Sequence, residues 1–370
     1  MDLLVTGINK ISFIEVYHVK NRKSKQTILS NNPELELCSN GDFRIKFDFV
    51  KQYEIIDFHC HLYEGLSELF PSFLQKEKEN NNKSLMDMSC FPFSMDLFDL
   101  DKTYFTKSPK TLLSLDGIKT KIKLFTGAFV LKYATSKRLI KDMDNNSIKQ
   151  AVVHQISALN GNCAEKMDEL VKGNERLFTF GSIHPYDKDI PGKIKQYMSL
   201  DIKGWKLNPH VWGVPIDCSE SIMLLKQLSQ TGLPILSCSG NGLPEELLRT
   251  AIPSRKTKCD MHTQQLNQFY KVLDNIPDTT FILAHAGCFD FNDIIKLMQR
   301  YKNTYTDISV QPASNIKQLI EKVGSERILF GTDYPFVSQA FSILSVLRAT
   351  SYETERQKIF SENAKKVLKI

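Results

Sequence analysis

The chain has 370 residues, 42% hydrophobic and 24% charged, with 17 Gly and 14 Pro. That length suits one large domain, and that composition excludes collagen-like, disordered and disulfide-scaffold classes. The 48 Lys and Arg against 42 Asp and Glu leave a charge of +6, but no run of five like charges concentrates the excess, so nucleic acid is not an expected partner.

No apolar run approaches the roughly 18 residues of a membrane helix, so no membrane association is expected either. The start, Met1-Asp2-Leu3-Leu4-Val5, carries an acid where a signal peptide carries a base, which leads to the expectation of a cytoplasmic protein. The eight cysteines, at 38, 60, 90, 163, 218, 238, 259 and 288, include no C-x-x-C pair. Several lie within apolar runs, which suits reduced, buried thiols.

In chain order, residues 1–50 read as an N-terminal extension with strand-like alternation at 11–17 and 43–49. A first short apolar run, 53–57, ends at His59 and His61. The stretch 62–135 exceeds a normal connection and reads as an insertion over a site, with a polar tip at 75–84. Further runs follow at 150–156, 177–183, 202–207, 233–236, 280–284, 304–310 and 327–330. Helical patterns alternate with them, at 136–143, 219–229, 291–301 and 316–323. Alternating strand and helix imply parallel pairing, and eight such units predict an α/β fold, a (β/α)8 TIM barrel, over 51–370. An open doubly wound sheet would call for a Gly-rich first turn, which is missing.

In such barrels chemistry collects at the C-terminal ends of the strands. Five of the eight histidines fall there: His59, His61, His184, His210 and His285. The other three are His18, His154 and His262. In Asp57-Phe58-His59-Cys60-His61, residues two apart on a strand face the same way, so both imidazoles can meet the barrel axis and suit a transition metal. The alternative is a pair of hydrogen-bonded histidines at a strand edge. Asp333, in Gly331-Thr332-Asp333-Tyr334-Pro335, should lie beside the first strand, because strand eight neighbours strand one in a closed barrel. It can ligate a metal or accept a proton, or merely cap a turn. His285 is a further ligand, an acid/base group or a core histidine.

Together with Gly204-Trp205-Lys206-Leu207-Asn208-Pro209, Leu233-Pro234-Ile235-Leu236 and Ala284-His285-Ala286-Gly287, these motifs resemble the amidohydrolase superfamily, in its amidohydrolase-related branch of metal-dependent hydrolases and decarboxylases. The resemblance spans about residues 53–370. It implies a (β/α)8 barrel with one divalent metal, sometimes two, with His59, His61 and Asp333 as ligands. It makes His285 the catalytic acid/base or a second-site ligand. The departure is Cys238, where this branch usually has a metal-binding histidine. Cys238 either replaces that ligand as a thiolate or is an inert buried thiol. Some relatives carry a carboxylated lysine at the position of Lys206. Lys206 could equally bind a substrate carboxylate or form a structural ion pair, and His210 and His184 are further candidates for substrate contact.

The leading expectation is a zinc-dependent hydrolase, with manganese as the second choice of metal. It would cleave an amide, ester or lactone bond of a small-molecule substrate, with Asp333 and His285 as the catalytic groups. A metal-dependent decarboxylase uses the same groups, and a barrel that has lost its metal is the third reading. A homodimer is compatible with all three.

Overall fold

Eight short runs pair side by side as parallel strands, and their order around the molecule brings the first beside the last. The computed structural model describes residues 25–69, 131–240 and 266–370. A small antiparallel hairpin comes first, with β1 (Leu35–Leu37) paired to β2 (Phe43–Ile45). The barrel strands are β3 (Ile56–Cys60), β4 (Gln150–His154), β5 (Leu177–Phe180), β6 (Trp205–Leu207), β7 (Ile235–Cys238), β8 (Phe281–Ala284), β9 (Thr304–Asp307) and β10 (Ile328–Leu329).

Strands β3-β4-β5 form one hydrogen-bonded sheet and β6 to β10 another. At one seam Gly181 bridges Trp205, with Gly181 N donating to Gly204 O at 2.9 Å and Lys206 N to Gly181 O at 2.7 Å. At the other, Cys60 bridges Tyr334, Phe58 N donates to Phe330 O at 2.8 Å and Asp333 N donates to His59 O at 2.8 Å. The ring is therefore closed, a (β/α)8 barrel.

Each barrel strand is followed by a helix: α1 (Ser136–Asn145), α2 (Ala164–Val171), α3 (Ile190–Met198), α4 (Ser219–Ser229), α5 (Gln268–Asn275), α6 (Phe291–Arg300), α7 (Ala313–Val323) and α8 (Gln339–Ala349). All eight strand runs expected from the sequence are present, with ends shifted by a few residues.

Two apolar layers hold the barrel. Inside, Ile56, Phe58, Val152, Phe180, Leu236, Ile282, Tyr305 and Leu329 form one cluster, together with Ala364, Val367 and Leu368 of the last helix, α9 (Asn363–Leu368). Outside, the opposite strand faces, such as Val153, Ile235, Phe281, Leu283 and Ile328, pack with the helices. Period-two alternation puts the next inward position of β4, β7 and β9 at His154, Cys238 and Asp307. On β3 a register shift between Asp57 and Cys60 interrupts the alternation, a kind of irregularity common beside functional sites.

The hairpin lies against α1 and α8. Ile45 N donates to Asn146 Oδ1 at 3.2 Å, and Arg348 pairs with Glu34 at 2.8 Å. Beneath it the buried Arg138 guanidinium pairs with Asp42 and with Asp142, each at 2.9 Å. Tyr334 OH donates to the same Asp142 carboxylate at 3.1 Å. Of the 62–135 insertion only 62–69 and 131–135 are among the described residues. The alternation at 11–17, the polar tip at 75–84 and His18 and His262 lie outside them. Among the described residues no helix is long and apolar enough to cross a membrane.

Arg138→Leu removes the buried cation that pairs with both the Asp42 and the Asp142 carboxylates. The substitution should destabilise the fold by about 3–5 kcal/mol, read as a lower urea midpoint with an unchanged m-value.

Candidate metal centre

At the C-terminal end of β3 the two imidazoles converge. His59 Nε2 lies 3.3 Å from His61 Nε2. Asp333 Oδ1 lies 3.5 Å from His61 Nε2 and 3.8 Å from His59 Nε2. The far sides of both rings are already committed. His59 Nδ1 sits 2.9 Å from the Asp307 carboxylate, and His61 Nδ1 sits 3.2 Å from the His154 carbonyl. A carboxylate and a carbonyl only accept, so each Nδ1 carries the proton. Each Nε2 therefore presents a bare lone pair to the other and to Asp333.

A third imidazole stacks on that of His59, His285 with its ring centroid 4.5 Å away. Its Nδ1 meets Ser309 Oγ at 2.7 Å. The Ser309 hydroxyl spends its proton on Asp307, so it accepts from His285 Nδ1 and leaves His285 Nε2 unprotonated. Cys238 Sγ is 3.8 Å from that Nε2. Lys206, fully buried on β6, extends its ammonium to within 3.0 Å of His59 Nε2.

The backbone turns sharply where these groups emerge. His285, Val310 and Asp333 have φ of 58°, 61° and 59°, a left-handed conformation that costs ordinary residues about 1–3 kcal/mol each. Asp57 anchors the seam beneath, accepting from His59 N at 3.1 Å, Thr332 N at 3.0 Å and Thr332 Oγ1 at 2.6 Å. Gly331 permits the close approach of the last strand. A Cβ there would lie 3.0 Å from His59 Cβ and 3.2 Å from Asp307 Oδ1.

Burial governs the charge states. It pushes His61 down to about 3, helped by the Lys206 charge. Burial also pushes His285 down to about 3, against the pull of Asp307 and with Lys206 adding to the fall. His59 falls well below the usual histidine range for the same reasons, burial first and Lys206 next. The Asp333 carboxyl is pushed well up by burial, with Lys206 opposing. The Cys238 thiol is also raised by burial. The imidazoles are thus neutral, the protonation state a metal requires of them.

The structure brings His59, His61, His285, Asp333, Cys238 and Lys206 into one centre. One ligand atom each from His59, His285 and Asp333 fall within 4.8 Å of one another. His210 lies on a helical turn, Pro209–Trp212, with Nε2 at 2.9 Å from Gly240 O. His184 packs on Trp212 at 5.3 Å between ring centroids, and its Nδ1 accepts from Tyr186 N at 3.1 Å.

Sequence reasoning missed Asp307, Ser309 and His154. The sequence reading leaves His154 among the three histidines away from the strand ends. It is in fact the last residue of β4, its ring 4.8 Å from that of His59, with Nε2 donating to Phe58 O at 2.8 Å. The apolar run continues to residue 156, which in the sequence alone places His154 mid-strand. Asp307 had a signal too, as the next inward position after Tyr305 on a strand facing the first histidine.

A family profile described as Amidohydrolase (Amidohydro_2) matches residues 139–370. The chain belongs to the amidohydrolase family. The match begins after β3, so His59 and His61 lie ahead of it. No curated protein matches the chain. Among solved structures, an uncharacterised TIM-barrel protein from Bordetella bronchiseptica aligns with a TM-score of 0.56 at 17% identity, over 85% of this chain and 98% of that one. A 5-carboxyvanillate decarboxylase from Sphingomonas paucimobilis gives 0.55 at 12%, over 86% of this chain and 100% of that one. A 5-carboxyvanillate decarboxylase from Novosphingobium aromaticivorans, complexed with manganese, gives 0.54 at 15%, over 87% and 97%. At these identities the likeness is one of fold.

The donor set fits a divalent metal, the cofactor of this amidohydrolase family. Two neutral imidazole nitrogens and a carboxyl oxygen converge here, 3.3, 3.5 and 3.8 Å apart. Donors sharing a tetrahedral ion with bonds of about 2.1 Å stand about 3.4 Å apart.

His59→Ala should abolish retention of zinc or manganese. Asp307→Asn, which removes the charge orienting His59, should weaken it by about 10–100-fold. Equilibrium dialysis against buffered metal measures both, and equal affinity in wild type and Asp307→Asn would refute the orienting role.

Proposed function

We propose that the protein is a metal-dependent hydrolase that cleaves an amide, ester or lactone bond of a small molecule. The observation that supports this most is the state of His285. Ser309 and Asp307 hold its proton on Nδ1, so the imidazole offers a bare Nε2 beside the His59–His61–Asp333 donor set. That is a base aimed at the place where a nucleophile is needed.

His59, His61 and Asp333 are the proposed ligands, and zinc is the first choice of ion, with manganese second. Bound there, a divalent ion supplies Lewis acidity and lowers the pKa of water towards neutrality. The side chains do the rest. His285 accepts a proton from water at Nε2 and returns it to the leaving group. The Asp307 carboxylate, acting through the Ser309 hydroxyl, stabilises the imidazolium while it exists, and it fixes the ring so that the proton goes out from the same nitrogen. Asp333 is the second group able to carry a proton.

A second reading has one specific observation in its favour. A fully buried ammonium, Lys206, stands beside the donor set, as a site for a substrate carboxylate would require. In a decarboxylase a protonated His285 would deliver the proton to the substrate carbon. Two of the structures that share the fold are 5-carboxyvanillate decarboxylases.

A panel of lactones, esters, amides and aromatic carboxylic acids, assayed in H2 18-O, separates the two. Hydrolysis places the heavy oxygen in a product carboxylate, whereas decarboxylation releases CO2 and leaves the remaining product unlabelled. Under either reading chelation should abolish turnover, and His285→Ala should lower kcat by about 10²–10⁴-fold with the metal still bound. Turnover that survives both treatments would overturn the proposal.

A further inference from the structure

His59 Nε2 has one lone pair, because Asp307 holds the ring's proton on Nδ1. That lone pair already has an occupant. Lys206 Nζ lies 3.0 Å away on a side chain with no exposure to solvent. The ammonium also bears electrostatically on the Cys238 thiol and on Asp333. It thus sits beside the converging donors. A single lone pair serves one electrophile at a time, so the ammonium and a metal ion cannot both use His59 Nε2.

We propose that Lys206 is an internal cation that competes with the metal for His59, holding the donor set together in the metal-free protein and leaving His59 when the ion enters. This rests on the reading of His59, His61 and Asp333 as metal ligands. It assigns Lys206 the reverse of a ligand's role. An amine or carboxylated lysine that bound the ion would strengthen metal retention, whereas a competing ammonium weakens it. The displaced charge stays tethered to β6 at the barrel mouth, where it suits a substrate with an anionic group.

Zinc affinity measured by competition with a chromophoric chelator tests this on wild type, Lys206→Met, Lys206→Arg and His59→Ala. Lys206→Met keeps the length of the buried side chain without its charge and should bind zinc at least tenfold more tightly than wild type. Lys206→Arg keeps a cation and should show no such gain. Equal or weaker binding by Lys206→Met overturns the competition, while loss of zinc by His59→Ala upholds the metal site on its own. If zinc binds neither wild type nor Lys206→Met, both readings fall.

A measurement on the wild type covers the case in which Lys206→Met fails to fold. In protein labelled with 15N-lysine, the buried ammonium should give a slowly exchanging resonance, assigned by its absence from Lys206→Arg. Equimolar zinc should shift or broaden it. A Lys206 signal unchanged in zinc-saturated protein overturns the proposal.

Discussion

The centre depends on one buried carboxylate. Asp307 closes β9 and accepts from His59 Nδ1 on one side and from His285 N and Ser309 on the other. It thereby fixes the tautomer of His59 directly and that of His285 through a hydroxyl. Two rings from strands far apart in sequence turn their unprotonated nitrogens to the same place because one anion takes their protons on the opposite side. Hydrogen bonds to a charged group contribute about 1.5–3 kcal/mol each, so the arrangement is rigid as well as directional. Lys206 bears electrostatically on Asp333 in the same buried setting.

Rigidity here works against backbone preference. Left-handed turns at His285, Val310 and Asp333 would relax in an open chain. At Asp333 the turn persists because the seam between β3 and the last strand is tied on both sides, by the backbone bond from Asp333 to His59 and by the Asp57 carboxylate under Thr332. Closure of the barrel and presentation of Asp333 are therefore the same set of contacts.

Much of this was legible in the residues. Short apolar runs with turn residues at their ends gave eight strands, and closure alone placed Asp333 next to His59. Alternation by two put His59 and His61 on a common target. What stayed hidden were pairings with no local pattern. Lys206 and His59 meet across 147 positions of sequence, and nothing near either announces it. Asp307 in Thr304-Tyr305-Thr306-Asp307 looks like a residue beginning a turn, and only the inward direction of Tyr305 marks it as facing the axis. His154 was obscured by an apolar run that continues past the true strand end to Ile156. The place of Cys238 was readable, between the strand that carries Lys206 and the one that ends in His285, but the reach of Lys206 to His59 was not.

The ring also bears on how the molecule can be divided. The segment that matches the family profile starts at residue 139, after β3 and after the Arg138 that ties the hairpin beneath Tyr334. A protein cut at that boundary would keep seven of the eight strands and none of the closure. The free sides of β4 and β10 would become unpaired edges of a curved, apolar sheet, templates for pairing with other copies. Such a fragment, however faithful to the stretch that matches the family, would be a seed for aggregation rather than a minimal enzyme, because the strand that carries His59 is also the one that makes the rest soluble to itself.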